Sequence, residues 1–140
     1  MGTALTPRVR MMAICDRVRE SNIEGGVFDL KGVRQAIAGA DFPFTPGRLW
    51  LFFVLSSPCP GVFPGYIRVV HDQTERVVYH AYLRPRPSFR VDDDVCTGRV
   101  PLRCRFPEAG RFTVQLWFFQ EQGYDVLKGE TPFFIHAEDR

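Results

Sequence analysis

The stretch "GRFTVQLWFFQ", Gly110 to Gln120, decides how this chain is read. It alternates with period two, and a strand is the element whose side chains do that. One face is Phe112, Val114, Leu116 and Phe118. The other starts with Thr113 and Gln115 and then turns to Trp117 and Phe119. A strand in a two-layer protein needs only one apolar face, so the second pair of aromatics needs a cover of its own.

Outward from that stretch the period stays at two. "RVRMMAICDRV" alternates Val9, Met11, Ala13 and Cys15 against Met12 and Ile14 and reads as a first strand. "VFDLKGVRQAIAG" reads as strand with an irregularity at Gly32, followed by a brief helical or irregular turn over Val33–Ala38. "RLWLFFVLSS" is a strand with both faces apolar. "PCPGVFPG" reads as a rigid loop because its prolines lack the donor that a ladder needs. "YIRVVHDQTERVVYHAYLR" makes a hairpin about Asp72–Glu75. "PRPSFRVDDDVCTG" returns to loop, with a short edge strand at Ser88–Val91. "RVPLRCRF" follows as a strand with Val100, Leu102 and Cys104 on one face, and "TPFFIHAE" is the last strand. About seven to eight short strands separated by Gly and Pro turns predict an all-β antiparallel sandwich, with a single domain over residues 1–140.

"FPEAGRFTVQLWF" resembles the penultimate strand of immunoglobulin-like sandwiches and the turn before it. The resemblance implies that Phe112, Val114 and Leu116 point into the core. It also implies that Phe112 stands near that fold's corner tyrosine, without the hydroxyl that would tie the corner. A wider likeness, carried by "AICDRV", the Gly turn after it, "FP" before an apolar strand and "FPEAGRFTV…FFI", is similar to a family of short bacterial proteins known only as a domain of unknown function. It implies a bacterial sandwich and brings no catalytic residues.

Composition limits the function classes. The chain has 140 residues, 13 Phe and a net charge of only +2. All but Lys31 and Lys128 of the basic residues are Arg, and along the sequence they are scattered. That pattern predicts no nucleic-acid partner. No apolar run reaches the ~20 residues of a membrane span, and none resembles a signal peptide, so no membrane partner and a soluble cytoplasmic protein are expected. Met1–Thr6 matches the spacing of an N-myristoylation signal without further support. Cys15, Cys59, Cys96 and Cys104 have no metal-ligand spacing and read as thiols.

Chemistry-bearing motifs are sparse. His71 and His80 flank one hairpin and, facing each other beside Asp72, would be two candidate metal ligands lacking a third. Asp92–Asp94 is an acidic loop with no second acidic segment to complete a calcium site. No nucleophile elbow, phosphate loop or Cys–His pair is present. The expectation is a non-enzymatic module without cofactors or metals, binding a protein partner or forming a homodimer. The contact residues would be Trp117 and Phe119, with Trp50 and Phe52 if their strand lies alongside and with Arg48 and Gln115 as polar rim. The alternative is a small-ligand or carbohydrate-binding sandwich using the same aromatics. Trp117→Asp is expected to abolish association and leave the fold intact.

Overall fold

The computed structural model describes residues 6–91, 94–120 and 123–138, and every described regular element is a strand. In chain order these are β1 (Arg8–Glu20), β2 (Phe28–Val33), β3 (Ala36–Gly39), β4 (Trp50–Ser56), β5 (Gly61–Val62), β6 (Gly65–His71), β7 (Val77–Tyr82), β8 (Ser88–Phe89), β9 (Val95–Pro101), β10 (Gly110–Phe118) and β11 (Val126–Ala137). They form a four-stranded sheet, β2-β1-β4-β9, a five-stranded sheet, β3-β11-β10-β6-β7, and the small pair β5-β8.

The order is immunoglobulin-like. β1, β4 and β9 stand side by side as strands A, B and E do, and β11, β10, β6 and β7 as G, F, C and C′. All pairings are antiparallel except β3 with β11, which is parallel at the sheet edge.

Alternation supplies the core. Leu51, Phe53 and Leu55 of β4 face Ile67 and Val69 of β6 and Phe112, Val114, Leu116 and Phe118 of β10 in one cluster. Phe106, Phe112, Phe118 and Phe133 are fully buried; each contributes ~1.5–3 kcal/mol relative to exposure. Gly98 of β9 lies opposite Phe53, and a Cβ there would come within 2.5 Å of that ring, so the glycine lets the aromatic lie across the strand.

Four expectations are corrected. Val33–Ala38 contains no helical turn: β2 ends at Val33 and Ala36–Gly39 hydrogen-bonds along the edge of β11. Gly61–Val62, inside the proline-rich segment, pairs with Ser88–Phe89; the prolines flank this short bridge and do not interrupt it. The strand read as Arg99–Phe106 begins earlier, at Val95, and ends at Pro101, which has no N–H to continue a ladder. Beyond it, Phe106 keeps only an isolated bridge to Phe44. The short strands β3, β5 and β8 raise the described count to eleven, above the seven or eight expected. Met1–Leu5, Asp92 and Asp93 lie outside the described residues, and with them most of the myristoylation match and of the acidic loop.

Candidate functional site

The register of the five-stranded sheet brings its outward aromatics into a line. Leu127, Trp117, Tyr66 and Tyr82 are direct cross-strand partners on β11, β10, β6 and β7. The next row is Glu130, Gln115, Arg68 and His80. Phe119, just past β10, packs against Tyr66 and Tyr82, with centroids 5.0 and 6.2 Å away.

The rings are held in place by one another. Trp117 is parallel to Tyr66 at 6.1 Å, and His80 lies 4.8 Å from Tyr66 and 5.0 Å from Tyr82. The Arg68 guanidinium sits 5.1 Å from the Trp117 ring centre and 5.3 Å from that of Tyr66, a cation–π arrangement. Trp117 Nε1 donates to Gln115 Oε1 at 3.0 Å. Tyr66 is 2 % exposed, and its hydroxyl donates to Asp125 Oδ2 at 2.8 Å. Burial first, and then that hydrogen bond, push the Tyr66 phenol up from its ordinary value.

What covers the inner half of this face is therefore the chain itself. The outer half stays open: Tyr82 is 53 %, Phe119 39 % and Leu127 38 % exposed. Beside them a hollow of about 600 Å³ is lined by Pro64, Tyr82, Leu83, Arg84, Arg86 and Phe119.

Of the residues expected at the contact, Trp117, Phe119 and Gln115 share this face. Trp50, Phe52 and Arg48 do not. β4 belongs to the other sheet, so the condition that its strand lie alongside is not met. There Phe52 is buried with Cys15 and Val18, and Phe28, Leu30, Trp50 and Val54 pack on them, forming a second small core on the outside of the four-stranded sheet. Arg48 is exposed beside Trp50.

His71 and His80 do not face each other. His71 pairs with Phe112 and points inward, 3 % exposed, whereas His80 pairs with Arg68 on the outward face. Among the described residues no three His, Cys, Asp or Glu side chains are placed to hold a metal ion. Instead His71 ties a corner. Its Nδ1 accepts from the Thr74 N–H at 3.2 Å, which leaves the proton on Nε2, 3.3 Å from Glu108 Oε1. All four cysteines are free, and burial drives the Cys104 thiol up to about 12.

Tyr66, Arg68 and Tyr82 were not singled out from sequence, and His80 was named only as a candidate metal ligand. The signal was there: with the hairpin turn at Asp72–Glu75, Tyr66 and Tyr82 fall opposite each other, and Tyr66 and Arg68 alternate with core-facing Ile67 and Val69.

No family model matches this chain, and no curated protein does. Two solved structures are similar at low level. The CopC structure from Methylosinus trichosporium OB3b aligns with TM-score 0.41 and 16% identity over 76% of this chain and 87% of its own. The PmoD soluble domain from Methylocystis sp. ATCC 49242 (Rockwell) aligns with TM-score 0.43 and 12% identity over 91% and 96%. The fold assignment rests on the strand order above.

Proposed function

We propose that the chain is a non-enzymatic binding module whose contact face is the outer side of the five-stranded sheet, and that the first partner is a second copy of itself. The supporting observation is the cross-strand row Leu127–Trp117–Tyr66–Tyr82 with Phe119 beside it, in which buried Tyr66 packs against Trp117 and Phe119, and Phe119 against exposed Tyr82. Large aromatics fixed in advance lose little entropy on contact and dominate interface energetics. Gln115, Glu130 and Arg68 in the next row would form its polar rim.

Light scattering over a dilution series tests this. A dimer is expected, and Phe119→Asp with Tyr82→Ser, both at exposed positions, should convert it to monomer without changing the melting temperature. A wild-type monomer at high concentration would sink self-association. One observation favours a small ligand as the second reading: the hollow of about 600 Å³ beside Phe119 is concave and carries two arginines. A sugar or anion that protects Phe119 and Tyr82 in a protein remaining monomeric would select that reading.

A further inference from the structure

The opposite face of the sandwich carries a separate feature. Arginines that are far apart in sequence meet around Trp50. Arg17, Arg48, Arg99 and Arg103 line a hollow of about 560 Å³ on one side of it. Arg84 and Arg86, which stand at the edge of the sandwich and also line the hollow beside Phe119, join Arg99 in lining another of about 420 Å³, which also contains Trp50, Phe28 and Phe52. All six arginines are exposed. Among the described residues none of them is in an ion pair; Arg99 alone makes a described side-chain hydrogen bond, donating to the Val18 carbonyl at 2.8 Å while its guanidinium lies 5.4 Å from the Trp50 ring centre. Two carboxylates lie within the two hollows. Asp16 is held by Arg34 through a paired contact, and Glu20 lines the hollow that contains Phe28.

A chain of net charge +2 has thus gathered six arginines, none in a described ion pair, around two partly buried aromatic rings, Trp50 and Phe28, on the four-stranded sheet and the loops at its edge. Six like charges converging without carboxylate partners repel one another and call for an anion. A single phosphate would use two or three of them. The arginines continue through both hollows, on either side of Trp50, which matches a ligand with several phosphates in series. The rings match planar groups between those phosphates, because base stacking on aromatics and on guanidinium planes is the sequence-tolerant half of single-strand recognition.

We infer that the outer face of the four-stranded sheet binds single-stranded nucleic acid, with the arginines around Trp50 on its phosphates and Trp50 and Phe28 against its bases. The scatter of arginines along the chain hid this, because β1, β9 and the loops before β4 and after β7 and β9 converge only in the folded sandwich.

The probe is a fluorescent oligothymidylate of about 20 nucleotides, longer than the ~4–16 that a small domain covers, read by anisotropy with the Trp117→Phe protein. Binding should quench the remaining Trp50 emission, and its log K should fall with log salt by ~0.7 for each phosphate neutralised. Arg48→Glu with Arg103→Glu should weaken binding by at least ~10-fold and flatten the salt slope by about 1.4. Arg76→Glu with Arg105→Glu, the same charge change near His71, should change it less than ~3-fold. Arg17→Glu, which lines only the hollow beside Trp50, serves as a second loss variant, each protein being checked by its melting temperature. No binding at low salt overturns the inference, as does equal weakening by both charge-reversal pairs. Polyglutamate of equal charge competing as well as unlabelled oligonucleotide overturns it in favour of an acidic polypeptide. Self-association through the opposite sheet is read by mass and does not bear on these outcomes.

Discussion

The guanidinium of Arg68 lies 5.1 Å from the ring centre of Trp117 and covers an indole that would otherwise face water from a sheet surface. It reaches that position because Arg68 is the cross-strand partner of Gln115, one pleat from Trp117 on the same face. The aromatic that raised the question of a cover is thus covered from the neighbouring strand, and openness begins one row-end further out, at Tyr82, Phe119 and Leu127.

Removing that cover has a spectroscopic consequence. In a Trp50→Phe background, Arg68→Ala should shift Trp117 emission to the red and make it more accessible to acrylamide. The stability loss should be small, ~0.5–1 kcal/mol, since the pair is only half-buried. An unchanged emission maximum would mean that Tyr66 and Gln115 alone shield the indole.

His71 joins the β6–β7 turn to the loop before β10 by accepting from Thr74 and donating toward Glu108. Its ring also stands edge-on to Phe112 at 4.8 Å. His71→Ala should cost ~2–4 kcal/mol from the lost packing and the unmet Thr74 donor. Gly110, at φ 145°, faces the same ring, and an added Cβ would lie 3.1 Å from Nε2. Gly110→Ala should therefore destabilise by roughly 1–3 kcal/mol through backbone strain, measured by urea unfolding. A neutral Gly110→Ala would remove the corner from the account of stability.

Alkaline pH should weaken the fold through groups that are kept neutral. The folded phenol of Tyr66 ionises above its unfolded value, which is ~10. Its contribution is complete below that unfolded value and is lost as pH rises through the folded one, because the native state holds the proton longer than the unfolded chain does. Cys104, raised to about 12, and Cys15 act with the same sign, starting nearer the ~8.5 of a free thiol. Unfolding free energies measured between about pH 8 and 12 should fall throughout. Tyr66→Phe should flatten the upper part of the curve, and an unaltered slope would dismiss the buried phenol as a contributor.

The core of the sandwich was legible because alternation is local. Phe112, Val114, Leu116 and Phe118 declare one buried face whatever pairs beside them, and a turn such as Asp72–Glu75 fixes a hairpin without outside help. Val33–Ala38 was misread because a short segment ending in Gly has nearly equal local preference for turn and strand. The parallel ladder to β11 that decided it comes from residues about a hundred positions later. Of the six proposed contact residues, Trp117, Phe119 and Gln115 share the outward side of the five-stranded sheet, whereas Trp50, Phe52 and Arg48 lie with the other sheet, where Phe52 is buried.

Which sheet each belongs to is not a local property. "RLWLFFVLSS" and "GRFTVQLWFF" have the same pattern, and nothing within either says that one joins β1 and β9 and the other β6 and β11. Sequence alone thus determined the longer strands, their inward faces and the absence of a familiar catalytic motif, since each depends on neighbours a few residues away. Tertiary structure alone decided that Trp117 and Trp50 look out from opposite sides, that two histidines near one turn face different ways, and that scattered arginines gather around Trp50. Those outcomes depend on strand order and register, which are set by packing energies summed over the whole sandwich.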